Sequence, residues 1–265
     1  MQKKIIDMTK KSLENFLDSP YKSRKHSTYF PVYDYLFTPY KNKNITFVEI
    51  GILGGGSLFM WREFFGPKAR IIGIDLNPES KMWEEHGFEI YIGNQANEDF
   101  WIQFVNQVGE IDLILDDGGH TYEQQVTSVS MLIESLRDGG MMVVEDTHTS
   151  YMKGFGSKKY SFINFSKLLI DRINHRCSKL NQNLSEKRIW SIEFFESIVA
   201  FKKNNSAVSI VSEELFNNGI DVAAKDFRYR DYETKSWIRK VQFLKYIPSL
   251  YFFRAKFKRF FKVKK

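Results

Sequence analysis

Apolar residues in the first half of the chain fall in short runs, and these alternate with stretches of helical period. Residues 45–50, 70–75, 88–92, 111–116 and 141–145 read as buried strands. Residues 58–65, 98–108 and 122–136 carry helical spacing between them, the last closed by Asp138, Gly139 and Gly140. Strands and helices in this alternation predict an α/β fold: a doubly wound, mostly parallel, Rossmann-like sheet with helices on both faces. An amphipathic helix over 5–17, ended by Ser19 and Pro20, precedes the sheet, followed by a polar, aromatic stretch over 21–40. A helix over 162–180 and a late, antiparallel strand over 197–203 follow it. The expected organisation is an N-terminal helical cap (1–44), an α/β domain (45–234) and a basic C-terminal helix (235–265).

Composition adds limits. With 265 residues, 43% of them hydrophobic, the chain can bury a sizeable core, which excludes global disorder. A single cysteine, Cys177, excludes an intramolecular disulfide and a thiolate metal cluster and suggests a reducing, cytoplasmic setting. The first eleven residues contain no signal-peptide hydrophobic region, and no apolar run of about 20 residues predicts a spanning helix. The formal net charge is +7, and from Lys235 onward there are eleven basic residues and no acidic ones; removing them leaves −4 for the rest. Leu250, Phe253, Phe257, Phe260 and Phe261 share one face of this basic segment. Such a helix suits an anionic membrane surface on the inner face of the membrane better than nucleic acid, with a solvated terminal helix as the plain alternative.

The first strand leads into Glu49, Ile50 and Gly51, then Gly54, Gly55, Gly56 and Ser57 before a helix. Glycines at that strand end let backbone approach a ligand closely. Their order, Gly-x-x-Gly-x-Gly, is not the dinucleotide fingerprint. The carboxylate of Glu49 suits a cationic ligand better than a pyrophosphate. Asp75 ends the second strand, where it could accept both hydroxyls of a ribose or simply cap the turn. Taken together these features favour S-adenosylmethionine.

Residues 47–57 with Ile72, Gly73, Ile74 and Asp75 resemble the opening of a class I S-adenosylmethionine-dependent methyltransferase. Asp116, Asp117, Gly118, Gly119 and His120, then Glu145, Asp146, Thr147 and His148, are similar to the motifs of the metal-dependent sugar O-methyltransferases, which act on macrolide sugars and occur in polysaccharide gene clusters. The resemblance runs from about 25 to 203. It places Gln95 at the adenine, Asp117, Glu145 and Asp146 on a metal, and His120 as general base. It also places the segment holding His26 and Tyr29 over the cofactor pocket. Asp116, pointing away from its neighbour, is expected to face the cofactor.

Three carboxylates at successive strand ends suit a hard cation, Mg²⁺ first, with Mn²⁺ or Ca²⁺ as alternatives. Each motif alone is also good turn or cap chemistry. Residues 149–157 have the composition of a lid, and Tyr151, His148 and Tyr29 are candidates to meet a sugar or glycan acceptor. Tyr33 and Phe37 read as packing, and His86 and His175 as structural. The expected activity is O-methylation of a sugar hydroxyl in a surface polysaccharide, glycolipid or glycosylated metabolite. The alternatives are a nucleic-acid methyltransferase and a non-catalytic membrane-docked scaffold. The oligomeric state, a homo-oligomer included, is left open.

Overall fold

The computed structural model describes residues 9–180 and 182–220. The basic tail, the expected domain end at 234 and the first residues of the 5–17 helix lie outside the described residues. Among the described residues, those up to 213 fall in one unit and 214–220 in a second.

Among the described residues seven strands form one sheet, in the order β3-β2-β1-β4-β5-β7-β6. They are β1 Thr46–Ile50, β2 Arg70–Asp75, β3 Glu89–Ile92, β4 Ile111–Asp116, β5 Leu136–Val144, β6 Ser191–Phe195 and β7 Ile198–Lys202. The first five are parallel, and β7 turns antiparallel on β5 with β6 beside it. Every β4 residue is buried, as a strand covered on both faces requires. Among the described residues the α-helices are α1 Ser12–Leu17, α2 Tyr29–Phe37, α3 Gly56–Phe65, α4 Glu98–Val108, α5 Tyr122–Leu132, α6 Phe162–Asn174 and α7 Asn205–Ser209.

Strand alternation sorts the core into two layers. Phe47, Leu113, Leu115, Met141 and Val143 face α2 and α3; Val48, Ile50, Ile114, Met142 and Val144 face α4, α5 and α6. The same parity places the acids. Glu49 and Glu145 continue the α2/α3 face, whereas Asp116 continues the other.

Several features differ from expectation, among them the start of α1 at Ser12, with residues 9–11 outside the helix. The 21–40 stretch contains α2, whose Tyr29, Phe30, Tyr33, Leu36 and Phe37 recur at helical spacing and bury against α3. Helix α5 ends at Leu132, and Asp138, Gly139 and Gly140 lie inside β5, where Leu136 already pairs with Ile111 and the register shifts before Met141. Those glycines, Gly139 at φ +82°, therefore mark a bulge in a strand, not a helix stop. Strand β6 was not expected, and α6 ends at Asn174.

Trp61, fully buried, packs against Tyr33, Phe37, Phe47 and Phe65 with ring centroids 5.1–5.6 Å away. Its Nε1 donates to Glu49 Oε1 at 3.2 Å. Trp61→Ala is expected to destabilise the protein by about 3–5 kcal/mol, readable in denaturant unfolding. A loss below about 1 kcal/mol would contradict this packing role.

Candidate active site

The carboxyl ends of β1, β2, β4 and β5 open into a cavity of about 800 Å³. Gly51, Gly54, Ser57, Asp75 and Gln95 line it together with Asp117, His120, Glu145 and Asp146, and Lys25, His26 and Tyr29 join them from the segment before and at the start of α2. Gly51 has φ +84°, and a β-carbon there would lie 2.3 Å from the Asp117 carbonyl oxygen. The turn therefore needs glycine both for its backbone and for its approach to the β4 end. Asp75 accepts from the amides of Leu53 (2.8 Å) and Asn77 (2.9 Å), tying the glycine turn to β2 while still lining the cavity.

Asp116 is buried and does not line the cavity. It accepts from Gln95 Nε2 at 2.6 and 2.7 Å and from the Gly118 amide at 3.1 Å. Gln95 Oε1 in turn accepts from the Gly119 amide, so the Gln95 side chain is held by both ends. Burial pushes the Asp116 carboxyl up to about 7, against the pull of those donors.

Beyond β4 and β5 the chain turns sharply. His120 and Asp146 adopt left-handed backbone, φ +59° and +54°, a strained geometry that non-glycine residues keep where surrounding contacts enforce it. These turns bring His120 Nε2 to 3.2 Å from Asp146 Oδ2 and 4.0 Å from Asp117 Oδ1. Ligand atoms of Asp117, His120 and Asp146 lie within 4.8 Å of one another, and the two carboxylates suit a divalent cation with the imidazole beside it. Thr149 Oγ1 donates to the His120 carbonyl at 3.2 Å, and Tyr29 Oη donates to Asp146 Oδ1.

Glu145 points elsewhere. It is buried on the α2/α3 face, where it accepts from Tyr33 Oη and meets Lys25 Nζ at 3.2 Å. Lys25, itself buried, also lies 2.6 Å from Asp117 Oδ2 and 3.5 Å from Glu49 Oε1. Burial alone would lower the Lys25 ammonium, but the carboxylates outweigh it and hold its pKa well above the lysine range. Burial raises Glu145 and Glu49, each partly offset by Lys25.

A methyltransferase-domain family model matches residues 48–147, the stretch that runs from β1 through Asp146. Over those residues the chain resembles a methyltransferase domain. Mycinamicin VI 2''-O-methyltransferase of Micromonospora griseorubida is 30% identical over 193 residues, covering 66% of this chain and 48% of that protein. Demethylmacrocin O-methyltransferase of Streptomyces fradiae is 33% identical over 159 residues, covering 55% and 40%. A crystal structure of the MycE methyltransferase with Mg and SAH superposes with a TM-score of 0.62 at 27% identity, over 78% of this chain and 54% of that one. The chain thus spans about half the length of the curated relatives it matches. The resemblance read from the motifs, and the Rossmann-like methyltransferase fold, are borne out.

Within the methyltransferase domain, the expected site residues take different places. Gly51, Gly54, Ser57, Asp75 and Gln95 line the cavity, while Glu49 sits behind it, accepting from Ser57 Oγ at 2.7 Å and from Trp61. Asp116 reaches the cavity only through Gln95. Asp117, His120 and Asp146 come together, and Glu145 turns to Lys25. Tyr151 is exposed and lines a second cavity of about 460 Å³, which shares His26, Tyr29 and His148 with the first. His148 Nδ1 lies 2.7 Å from Ser197 Oγ. The 149–157 segment is fastened to α5: Tyr122 Oη donates to the carbonyls of Thr149 and Met152, and its amide to that of Phe155. His86 packs among Tyr21, Phe59 and Trp83.

Lys25 and the hydroxyl of Tyr33 were missed. The signal that could have found Lys25 is parity: it buries Glu49 and Glu145 on one face, and buried carboxylates need a cation.

Proposed function

We propose that the chain is an S-adenosylmethionine- and divalent-metal-dependent methyltransferase that acts on a sugar hydroxyl. The observation that carries this reading is one cavity lined both by the glycine turn and Asp75 and by the Asp117, His120 and Asp146 group. The glycine turn and its neighbours suit an adenosyl ligand: Asp75 can meet a ribose, and Gln95 lines the cavity in an orientation fixed by Asp116 and Gly119. Asp117 and Asp146 would hold the metal, with Mg²⁺ favoured by carboxylate oxygens and by its presence in the MycE structures. When bound, a divalent ion there lowers the pKa of an adjacent hydroxyl.

The chain's own residues supply the rest. His120 Nε2 takes the proton of the acceptor hydroxyl, and the imidazolium so formed lies against Asp146 and Asp117. Asp146 is held in turn by Tyr29 Oη. The acceptor reading is supported by relatives named for sugar sites, such as the 2'-O-methyltransferase of a rhamnosyl tetracenomycin from Streptomyces olivaceus, 31% identical over 159 residues. The acceptor proposed here is a sugar unit of a polysaccharide, glycolipid or glycosylated metabolite, entering through the second cavity beside Tyr151 and His148. Calorimetric titration with S-adenosylhomocysteine tests the cofactor half: saturable one-site binding, weakened in Asp75→Ala, is expected. Absence of binding to the wild-type protein would overturn the proposal.

A further inference from the structure

Gln95 is buried just beyond β3, and both polar ends of its side chain are taken by one short turn after β4. Nε2 donates to the two Asp116 carboxylate oxygens at 2.6 and 2.7 Å, and Oε1 accepts from the Gly119 amide at 3.1 Å. Asp117 and Gly118 lie between these two anchor points, and His120 follows directly. The side chain therefore spans the turn that carries the carboxylate proposed for the metal and the imidazole proposed as base. Gly118 leaves room for that span: a β-carbon there would lie 2.1 Å from Gln95 Oε1, 2.8 Å from its Cδ and 3.1 Å from its Nε2.

The backbone of Gln95 is fixed from another direction. Trp101, fully buried on α4, donates from Nε1 to the Gln95 carbonyl at 2.8 Å, and the Asn97 side chain caps α4 by accepting from the Asp99 amide. On the turn, the Asp117 amide donates to the Ile50 carbonyl at 2.9 Å. The next two amides close on the Asp116–Gln95 pair, Gly118 on the carboxylate and Gly119 on the side-chain carbonyl. A side chain anchored on α4 thus holds the backbone on both sides of Asp117. We propose that Gln95 is a positioning residue for the metal-binding turn: besides bordering the adenosyl ligand, it braces 116–119 and so sets where Asp117 and His120 lie. The inference rests on the metal-dependent reading above. Groups that orient a metal ligand without touching the metal typically contribute about 10–100-fold to its affinity. A glutamine that served the adenosyl ligand alone would have a different signature, since its loss would weaken the cofactor and leave the metal untouched.

The test is calorimetric titration of the full chain with Mn²⁺ and, separately, with S-adenosylhomocysteine, each variant being shown by thermal unfolding to be folded at the titration temperature. Gln95→Met keeps the length of the side chain but can neither donate to Asp116 nor accept from Gly119. It is expected to bind Mn²⁺ about 10–100-fold more weakly than wild type. Gly118→Ala, at a φ outside the left-handed region, is expected to weaken Mn²⁺ in the same direction, because its methyl displaces the Gln95 amide. In a Gln95→Ala background the atoms it would strike are gone, so adding Gly118→Ala is expected to change Mn²⁺ affinity by less than about threefold. Wild-type Mn²⁺ affinity in Gln95→Met overturns the inference while the metal reading stands, whether or not S-adenosylhomocysteine binding is lost. An equal cost of Gly118→Ala with and without the Gln95 side chain does the same. Absence of Mn²⁺ binding in the wild-type protein overturns both. If the Gln95 variants do not fold, Gly118→Ala decides alone, and wild-type Mn²⁺ affinity there overturns the inference.

Discussion

His120→Ala is expected to lower turnover by about 10²–10⁴-fold while leaving S-adenosylhomocysteine affinity near the wild-type value. The split follows from where the side chain lies. Its Nε2 faces Asp146 and Asp117, and no hydrogen bond or ion pair joins its side chain to Asp75 or Gln95, so its removal leaves their contacts intact. The left-handed backbone at His120 is tolerated as well by alanine as by histidine only in part, and a modest loss of stability is expected alongside. Steady-state turnover and calorimetry together decide the point. Turnover within about threefold of wild type would remove His120 from the role of base, and loss of cofactor binding would show that it acts on the fold of the site instead.

Gly51→Ala is expected to lower turnover by about 10²-fold or more and to weaken cofactor binding with it. Two physical costs combine at this position. A side chain at φ +84° strains the backbone by about 1–2 kcal/mol, and the new β-carbon would lie 2.3 Å from the Asp117 carbonyl oxygen. One of the two groups must move, and the segment that moves carries either the glycine turn or the carboxylate proposed for the metal. Gly109→Ala supplies the control: its φ is +80°, yet nothing lies within 4 Å of the added carbon. That substitution is expected to show the backbone strain alone, with turnover near wild type. Equal turnover in the two variants would mean that the close approach at Gly51 has no functional consequence.

The central strands were legible because each is a continuous apolar run buried on both faces, a pattern that a surface element does not produce. Strand β6 lacked that pattern: Phe194 is exposed and Glu193 interrupts the run, as an edge strand permits. Helix α2 was hidden by its aromatic content and by Pro31 in its first turn, a position where proline costs no hydrogen bond. At Gly139 and Gly140 a bulge used the same residues that normally end a helix. The site divides in the same way. Asp117 and His120 share one local turn, and Asp146 follows the next strand, so spacing alone brings them to one end of the sheet. The partners of Lys25 are 24, 92 and 120 residues away along the chain, and no local pattern encodes such a meeting. Strand parity, available from the sequence, would have put Glu145 on the face opposite Asp116 and signalled that its carboxylate needs a buried cation.

Methyl transfer itself is the most direct measurement. Purified chain is incubated with methyl-labelled S-adenosylmethionine and a panel of glycosylated acceptors, with Mg²⁺ and with excess chelator. Label incorporated into a sugar hydroxyl, lost with chelator and restored by Mg²⁺, is the expected result. Transfer that continues undiminished in chelator, or label found only on nitrogen or on nucleic acid, would contradict it.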